Sequence, residues 1–309
     1  FPRYRVGESL LPYCYFPLER IGLIDQMKAS RFVEKHSVQF VTADGKVSAP
    51  FYFFQHFDHP AATTWQVVRS KFDSLLLENA RETHVDVRQG VTVTDFVREQ
   101  GKVVGVRAID EAGEQHEFRA PVTVDATGRN ALAVSKNRWR KWDPQLNKVA
   151  MWTYFRGAIR DPGLEAGSTT VAYIPEKGWF WYIPLPDDMV SVGIVGESGY
   201  LFRDTKDLPE IFCREIGNNE WIKDHLAPAT QQGEYFVTKE FSYRSEYCAE
   251  DGLVLVGDAF AFLDPVFSSG VYLALRSGEL AADAIHGALA SGQVSADAFV
   301  GYSERVCRE

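Results

Sequence analysis

Two groups of residues in this chain have the types and spacing to do chemistry. The first is the run Gly257-Asp258-Ala259-Phe260-Ala261-Phe262-Leu263-Asp264-Pro265-Val266-Phe267-Ser268-Ser269-Gly270-Val271. The apolar stretch Leu253-Val254-Leu255-Val256 before it reads as a strand, and the Ala/Leu-rich stretch after it as a helix. Asp258 then stands at the carboxyl end of a strand, where α/β sheets take their ligands. Ser268-Ser269-Gly270 opens the helix, so the N–H groups of Ser269 and Gly270 have no acceptor within it and can face an anion. The second group centres on Lys35, in Arg31-Phe32-Val33-Glu34-Lys35-His36-Ser37-Val38-Gln39-Phe40. A lysine before a strand is ordinarily a solvated surface group. A desolvated one holds its proton weakly and offers a neutral amine near neutral pH.

The elements that must position these groups are legible as an alternation of patterns. Helical spacing covers 9–29, with a break expected at Pro17. Val38–Val41 and Phe51–Phe54 flank Asp44-Gly45 as a hairpin. A helix is expected from Gln66 to about Arg81, carrying Arg69, and strands at Val85–Val87, Val91–Val93 and Val103–Val106. The strand Val122–Val124 ends in Asp125-Ala126-Thr127-Gly128-Arg129, small residues that let a backbone approach a ligand closely. From 148 to 199 the chain alternates as an antiparallel sheet, with strands at 150–157, 169–174, 179–184 and 190–195. A helix at 206–226 capped by Asp207 and Pro209, a strand at 234–244, and helices at 270–290 and 295–307 complete the reading.

Trp179, Trp181 and Ile183 in Gly178-Trp179-Phe180-Trp181-Tyr182-Ile183-Pro184 alternate, so on a strand they share one face. That face is either an aromatic core or the rigid wall of a site. The segment matches the W-x-W-x-I-P signature of flavin-dependent halogenases, a branch of the FAD-dependent monooxygenases. The Gly-Asp run resembles that superfamily's second flavin-contacting segment, and Phe32-x-x-Lys35 resembles the halogenases' active-site lysine segment. Phe1-Pro2-Arg3-Tyr4-Arg5-Val6-Gly7-Glu8-Ser9-Leu10-Leu11-Pro12 is similar to their F-P-R-x-x-V-G-E-S-L-L-P segment.

The resemblance implies an α/β chain: an FAD-binding two-dinucleotide-fold domain of the aromatic-hydroxylase type with an inserted antiparallel β-sheet substrate domain. Residues 1–30, 66–147 and 246–309 would bind FAD, 31–65 would be strands of the substrate domain or a connecting region and carry Lys35, and 148–245 would form the substrate domain. It implies that Val6, Gly7, Glu8, Ser9, Arg69, Asp125, Ala126, Gly128, Asp258, Pro265 and Gly270 contact FAD, and that Ser269 and Gly270 hold halide. Trp179, Trp181, Ile183, Phe267 and Ser268 would line the substrate tunnel, and Lys35 would be catalytic. In the family's scheme a separate flavin reductase supplies reduced FAD. O2 and halide then give hypohalous acid, which travels to the lysine and halogenates an electron-rich aromatic ring.

The chain departs from the family's pattern in three places. No strand–G-x-G-x-x-G–helix unit occurs, although Gly193, Gly196 and Gly199 approach the spacing. A leading unit of about 30 to 45 residues is therefore expected before Phe1. The sequence stops at residue 309, before the long carboxyl-terminal region that the resemblance leads one to expect. Phe267 stands where tryptophan halogenases carry a glutamate, which removes their base and favours a phenol or pyrrole, free or on a carrier protein. Two rivals stay open: a flavin hydroxylase or reductase on the same fold, and a non-catalytic scaffold.

Bulk properties narrow the partners. Of 309 residues, 45% are hydrophobic and 24% charged, enough to bury a full core. The net charge of −9 has its Lys and Arg scattered, so no nucleic-acid partner is expected. No apolar run reaches the ~18 residues of a membrane span. Cys14, Cys213, Cys248 and Cys307 form no C-x-x-C pair, which fits reduced thiols in a cytoplasm and no bound metal.

Overall fold

The computed structural model describes residues 6–175 and 178–309. Phe1–Arg5 of the opening motif lie outside the described residues. The centre is an eight-stranded sheet in the order Ala261–Phe262, Thr230–Ser245, Arg140–Arg156, Met189–Glu197, Gly178–Leu185, Thr169–Ile174, Ser37–Val41 and Phe51–Tyr52. Every pairing is antiparallel except one: Thr169–Ala172 run parallel to Val38–Val41. The hairpin strand Ser37–Val41 joins this sheet from far away in sequence, and its partner stops at Tyr52 because Phe53–Gln55 turn into a 3-10 helix.

Period-two alternation sorts the sheet's side chains onto two faces. One face carries Met151, Phe155, Phe180, Tyr182, Val192 and Ile194 and is buried under the helices Leu208–Ile216 and Glu220–Leu226. These were expected as one helix. Gly217-Asn218-Asn219 breaks it, and Asn219 caps the second piece by accepting from Ile222 N, as Asp207 caps the first. The other face carries Ala150, Trp179, Trp181, Ile183 and Val195.

Beside the large sheet lies a small one. Leu253–Leu255 pair in parallel with Thr123–Asp125, and the helix Gly270–Ser291 packs over them. A third sheet, Val91–Glu99, Lys102–Asp110 and Gln115–Arg119, includes a last strand the sequence pattern did not reveal. Val85–Val87 form no strand. The break expected at Pro17 falls instead at Ile21-Gly22, between helices Tyr15–Arg20 and Ile24–Ala29, because a proline in a first turn needs no hydrogen-bonded N–H. The helix expected from Gln66 begins at Arg69, since Thr64–Gln66 are a strand. The final helix is split into the 3-10 turn Ala296–Phe299 and Val300–Val306. No helix of the described residues is long and apolar enough to cross a membrane.

Candidate active site

Lys35 ends the short strand Val33–Lys35, which pairs antiparallel with Thr64–Gln66. The opening segment lies on the other side of Thr64–Gln66: Ser9 bridges to Gln66, Val67 N donates to Glu8 O, and Leu10 N donates to Trp65 O. Three layers of backbone therefore stack Lys35 and Ser9 against one another across a common neighbour. The turn Gly163–Gly167 closes the edge, where a Cβ on Gly167 would meet Glu34 O at 1.9 Å.

Lys35 is 1% exposed. Its Nζ donates to Ser9 Oγ at 2.8 Å and to Leu10 O at 3.2 Å, and stands 5.5 Å over the Phe53 ring. Among the described residues no carboxylate pairs with it. Burial therefore dominates, and the ammonium is pulled down from its ordinary value to about 7. The hydrogen bonds continue inward. Ser9 Oγ lies 2.7 Å from Thr169 Oγ1, and Gln66 Nε2 donates to Thr169 Oγ1 and Gly167 O, each at 2.9 Å.

Glu8 points the other way, to the tryptophan face. It is 2% exposed, and its Oε1 accepts from Tyr154 OH at 2.9 Å. Burial pushes its carboxyl up to about 7, against the lowering effect of Ser191, Tyr154 and the Arg69 charge. Val6 packs in the same layer, with Trp152, Tyr154 and Val266. Trp181 lies flat on Gly193, where a Cβ would come within 2.0 Å of the indole, and its Nε1 donates to Ser191 Oγ at 3.2 Å. Trp179 Nε1 is buried with no partner.

Gly7 has φ +102°, a conformation that favours glycine, and a Cβ there would meet Arg69 Nη1 at 2.8 Å and Val271 Cγ2 at 3.6 Å. The opening segment thus passes directly over the start of the Gly270–Ser291 helix. Arg69 braces that crossing: its guanidinium donates to Val6 O at 2.7 Å and pairs with Asp73 at 2.8 Å.

The two loops expected at the strand ends are neighbours, because their strands pair in parallel. Asp125 folds its own loop, accepting from Thr127 N at 3.0 Å, Thr127 Oγ1 at 2.6 Å and Ala133 N at 2.7 Å. Ala126 is exposed, and a Cβ on Gly128 would meet nothing within 4 Å. Gly257 has φ +54° and presses on Ala274, so Asp258 turns at the start of the helix packing, with Tyr243 OH donating to its carbonyl. Asp264 accepts from Val266 N and pairs with Lys148 at 2.8 Å, fixing the turn Pro265–Phe267. Ser268 and Ser269 are half-buried, Gly270 borders open space, and Phe267 is 70% exposed.

These residues fit a flavin. Backbone without Cβ lies at Gly7, Gly128, Gly257 and Gly270, a long helix presents its N-terminus, and an apolar tryptophan wall carries orphaned polar atoms. Val6, Gly7, Trp179, Trp181 and Val266 are brought into one region, with Ile183 in the same layer and Lys35 behind Ser9. The Asp125–Gly128 loop sits with Asp258 at the strand ends.

Comparison with known proteins gives the same answer. The tryptophan halogenase family model matches residues 42–309. The chain belongs to that family. It is 33% identical, over 92% of its length and 69% of the relative's, to a 1H-pyrrole-2-carbonyl-[peptidyl-carrier protein] brominase of Pseudoalteromonas luteoviolacea. A flavin-dependent halogenase of Armillaria mellea is 32% identical, with 92% of this chain and 60% of that one covered. Among solved structures, the myxobacterial chondrochloren halogenase, an FAD-dependent enzyme, superposes with a TM-score of 0.90 at 36% identity, over 99% of this chain and 71% of that one. This halogenase is thus an FAD-dependent oxidoreductase that works with halide.

Its sequence pointed to Lys35, the tryptophans and the strand-end loops. It did not point to Gln66, Thr169, Tyr154 or Ser191, which surround the amine and the acid. Ser191 had one signal, a polar residue in the otherwise apolar strand Val190–Val195.

Proposed function

We propose that this chain halogenates an electron-rich aromatic ring of phenol or pyrrole type, with Lys35 as the amine that captures hypohalous acid. When bound, FAD supplies, with O2, the oxidising power that converts halide to hypohalous acid. The observation that carries the reading is a fully buried amine with no carboxylate partner among the described residues, its ammonium pulled down to about 7. A neutral Nζ holds hypohalous acid by hydrogen bonding or as a haloamine, while Ser9 and Leu10 O fix its direction. The N–H groups of Ser269 and Gly270 hold halide at the positive end of a long helix. Val6–Ser9, Arg69, the Asp125–Gly128 loop, Asp258 and Pro265 line the cofactor, and Trp179, Trp181, Ile183, Phe267 and Ser268 line the path to the substrate.

A substrate tethered to a carrier protein is supported by the brominase relative, whose name specifies one, and by exposed Phe267 and Leu263 at the mouth of the Asp264 turn. A separate reductase delivers the reduced flavin, and the four free cysteines favour a reducing cytoplasm. The test is turnover with a flavin reductase, O2 and chloride or bromide, on free phenols and on carrier-linked pyrrole. A product with the isotope pattern of the supplied halogen is expected. A product carrying only added oxygen, insensitive to halide, would make the enzyme a hydroxylase.

A further inference from the structure

The amine ends a row of buried side chains, Gln66, Thr169 and Ser9, whose hydrogens can be counted. Gln66 Nε2 lies 2.9 Å from both Gly167 O and Thr169 Oγ1. A carbonyl oxygen only accepts, so Gly167 fixes the carboxamide with its NH2 side toward Thr169. That orientation is kept although it leaves Gln66 Oε1 buried without a partner. Thr169 Oγ1 therefore accepts from Gln66, and among the described residues its own hydrogen has one acceptor in reach, Ser9 Oγ at 2.7 Å. The Ser9 hydrogen then has one acceptor left, Lys35 Nζ at 2.8 Å.

The count separates the two states of the amine. When Nζ is neutral, its lone pair accepts from Ser9, an N–H goes to Leu10 O at 3.2 Å, and both hydroxyl hydrogens are bonded. When Nζ is an ammonium, it donates to Ser9. One hydroxyl hydrogen, on Ser9 or on Thr169, is then left with nothing to accept it. A buried donor without an acceptor costs free energy, so the row opposes the ammonium.

We propose that Gln66 is a positioning residue for the halogenating amine: as the donor end of the chain Gln66–Thr169–Ser9, it directs hydrogen bonds toward Nζ and favours neutral Lys35. The proposal rests on the halogenation reading and deepens it, adding the direction of hydrogen bonding to the effect of burial. A turn about the Cε–Nζ bond frees the lone pair for the halogen at the expense of one hydrogen bond. The titratable groups on the elements packed around Lys35 do not do this work. Burial pushes the Cys14 thiol up to about 12, so it carries no charge. Glu8 turns away to Tyr154, Glu34 lies 3.6 Å from His36 Nε2, and Glu165 accepts from Tyr52 OH.

The test is a nitrogen NMR titration of lysine Nζ in the FAD-loaded protein, with the Lys35 signal identified by its loss in Lys35→Met, alongside the acid limb of the kcat pH profile. Gln66→Glu keeps the shape and reverses the chain: whether the carboxyl is ionised or gives its single proton to Gly167 O, the oxygen facing Thr169 accepts. The Lys35 midpoint and the acid limb are expected to rise together by about one pH unit, tenfold in proton affinity. A new charge alone would also raise them, so Thr169→Val is added to Gln66→Glu. Cutting the chain should bring the midpoint back, whereas a charge effect would persist. Thr169→Val alone should leave the midpoint low, because Ser9 still has only Nζ to donate to. An unmoved midpoint in Gln66→Glu, a rise that survives the added Thr169→Val, or a rise in Thr169→Val alone overturns the proposal. Should Gln66→Glu not fold, neutron diffraction of the deuterated wild type at pH 8 reads the chain directly. The Ser9 hydroxyl deuteron is expected on the Nζ side, and a deuteron on the Thr169 side overturns the proposal. A midpoint that depends on Gln66, in an enzyme giving no halogenated product, would sink the halogenation reading and leave the hydrogen-bond chain standing.

Discussion

Glu8 and Glu215 are both glutamates with almost no exposed surface, on opposite faces of the same sheet, and their carboxyls behave in opposite ways. Burial pushes both up. At Glu215, hydrogen bonds from Arg214 at 2.8 Å, Tyr200 at 2.8 Å, Asn218 at 3.0 Å and Arg203 at 3.1 Å outweigh it, and the carboxyl ends below its ordinary value. At Glu8 the Ser191 hydroxyl, the Tyr154 phenol and the Arg69 charge do not, and the carboxyl rises to about 7. Burial by itself therefore does not mark a site. Burial without a counter-charge does, because such a group is expensive to keep unless the function uses it.

The same contrast holds for the cations. Arg203 and Arg214 lie on the helix-covered side with acids beside them, and serve the fold. Lys35, on the other side, has a hydroxyl, a carbonyl and an aromatic ring around it. Lys35, on the strand Val33–Lys35, bonds to Ser9, and Glu8, the residue before Ser9, turns to Tyr154 on the other side of that segment.

The sharpest way to break this comparison is Lys35→Met. A thioether fills much of the same apolar volume, so the fold should hold or gain stability, while halogenated product falls by at least about 100-fold. Product mass spectrometry with a circular-dichroism melt reads both. A variant that unfolds would put Lys35 with the structural cations. Next in size are the two acids. Glu215→Gln should lose about 2 to 3 kcal/mol, less than a fully buried pair because its arginines are partly exposed. Glu8→Gln should be neutral or stabilising above pH 7. Glu8 binds a proton when folded but not when unfolded between its ordinary value of 4.5 and about 7, so its contribution falls as pH rises through that window. Urea melts at pH 5 and pH 8 separate these signs, and a loss of similar size in both variants at pH 8 would erase the distinction.

A smaller effect tests the tryptophan wall. Gly193→Ala must push Trp181 off the sheet, because its Cβ would come within 2.0 Å of the indole. We expect about 1 to 2 kcal/mol of destabilisation and a shift in indole fluorescence. Unchanged fluorescence would mean that the indole has no fixed seat on that glycine.

How much of this was legible in the sequence follows from the range of the interactions. The strands of the 148–199 sheet, the Gly270–Ser291 helix and the shared face of Trp179 and Trp181 depend on local periodicity, and they were read correctly. The parallel pairing of Val38–Val41 with Thr169–Ala172 joins distant segments, and no local pattern encodes it. Thr64–Gln66 were read past as a helix start, since Val67-Val68 continue the apolar run into Arg69. The motif located Lys35, but its burial depends on Thr64–Gln66 and the Gly167 turn closing over it. Glu8 was visible only as part of a backbone segment. Its raised proton affinity arises from burial against the tryptophan layer, which outweighs the lowering by Ser191 and Tyr154, and these groups come from three strands.

The smallest expected effect serves as the control on the helix-covered face. Asp161 accepts from Gln39 Nε2 at 2.6 Å and lies 3.4 Å from His225 Nε2, whose ring stacks on Trp221 at 3.6 Å. His225 first, and Gln39 after it, hold this carboxyl below its ordinary value of 3.8. A depressed acid stabilises the fold above its unfolded pKa, and that stabilisation is lost as pH falls through the folded one. Asp161→Asn should therefore cost about 0.5 to 1 kcal/mol at pH 7 and progressively less as the pH falls below 3.8, with halogenation unchanged at neutral pH. A denaturation series from pH 3 to pH 7 reads the first part and product formation the second. If product fell with the stability of this remote pair, the two faces of the sheet would be energetically coupled, and the division between a structural side and a chemical side would fail.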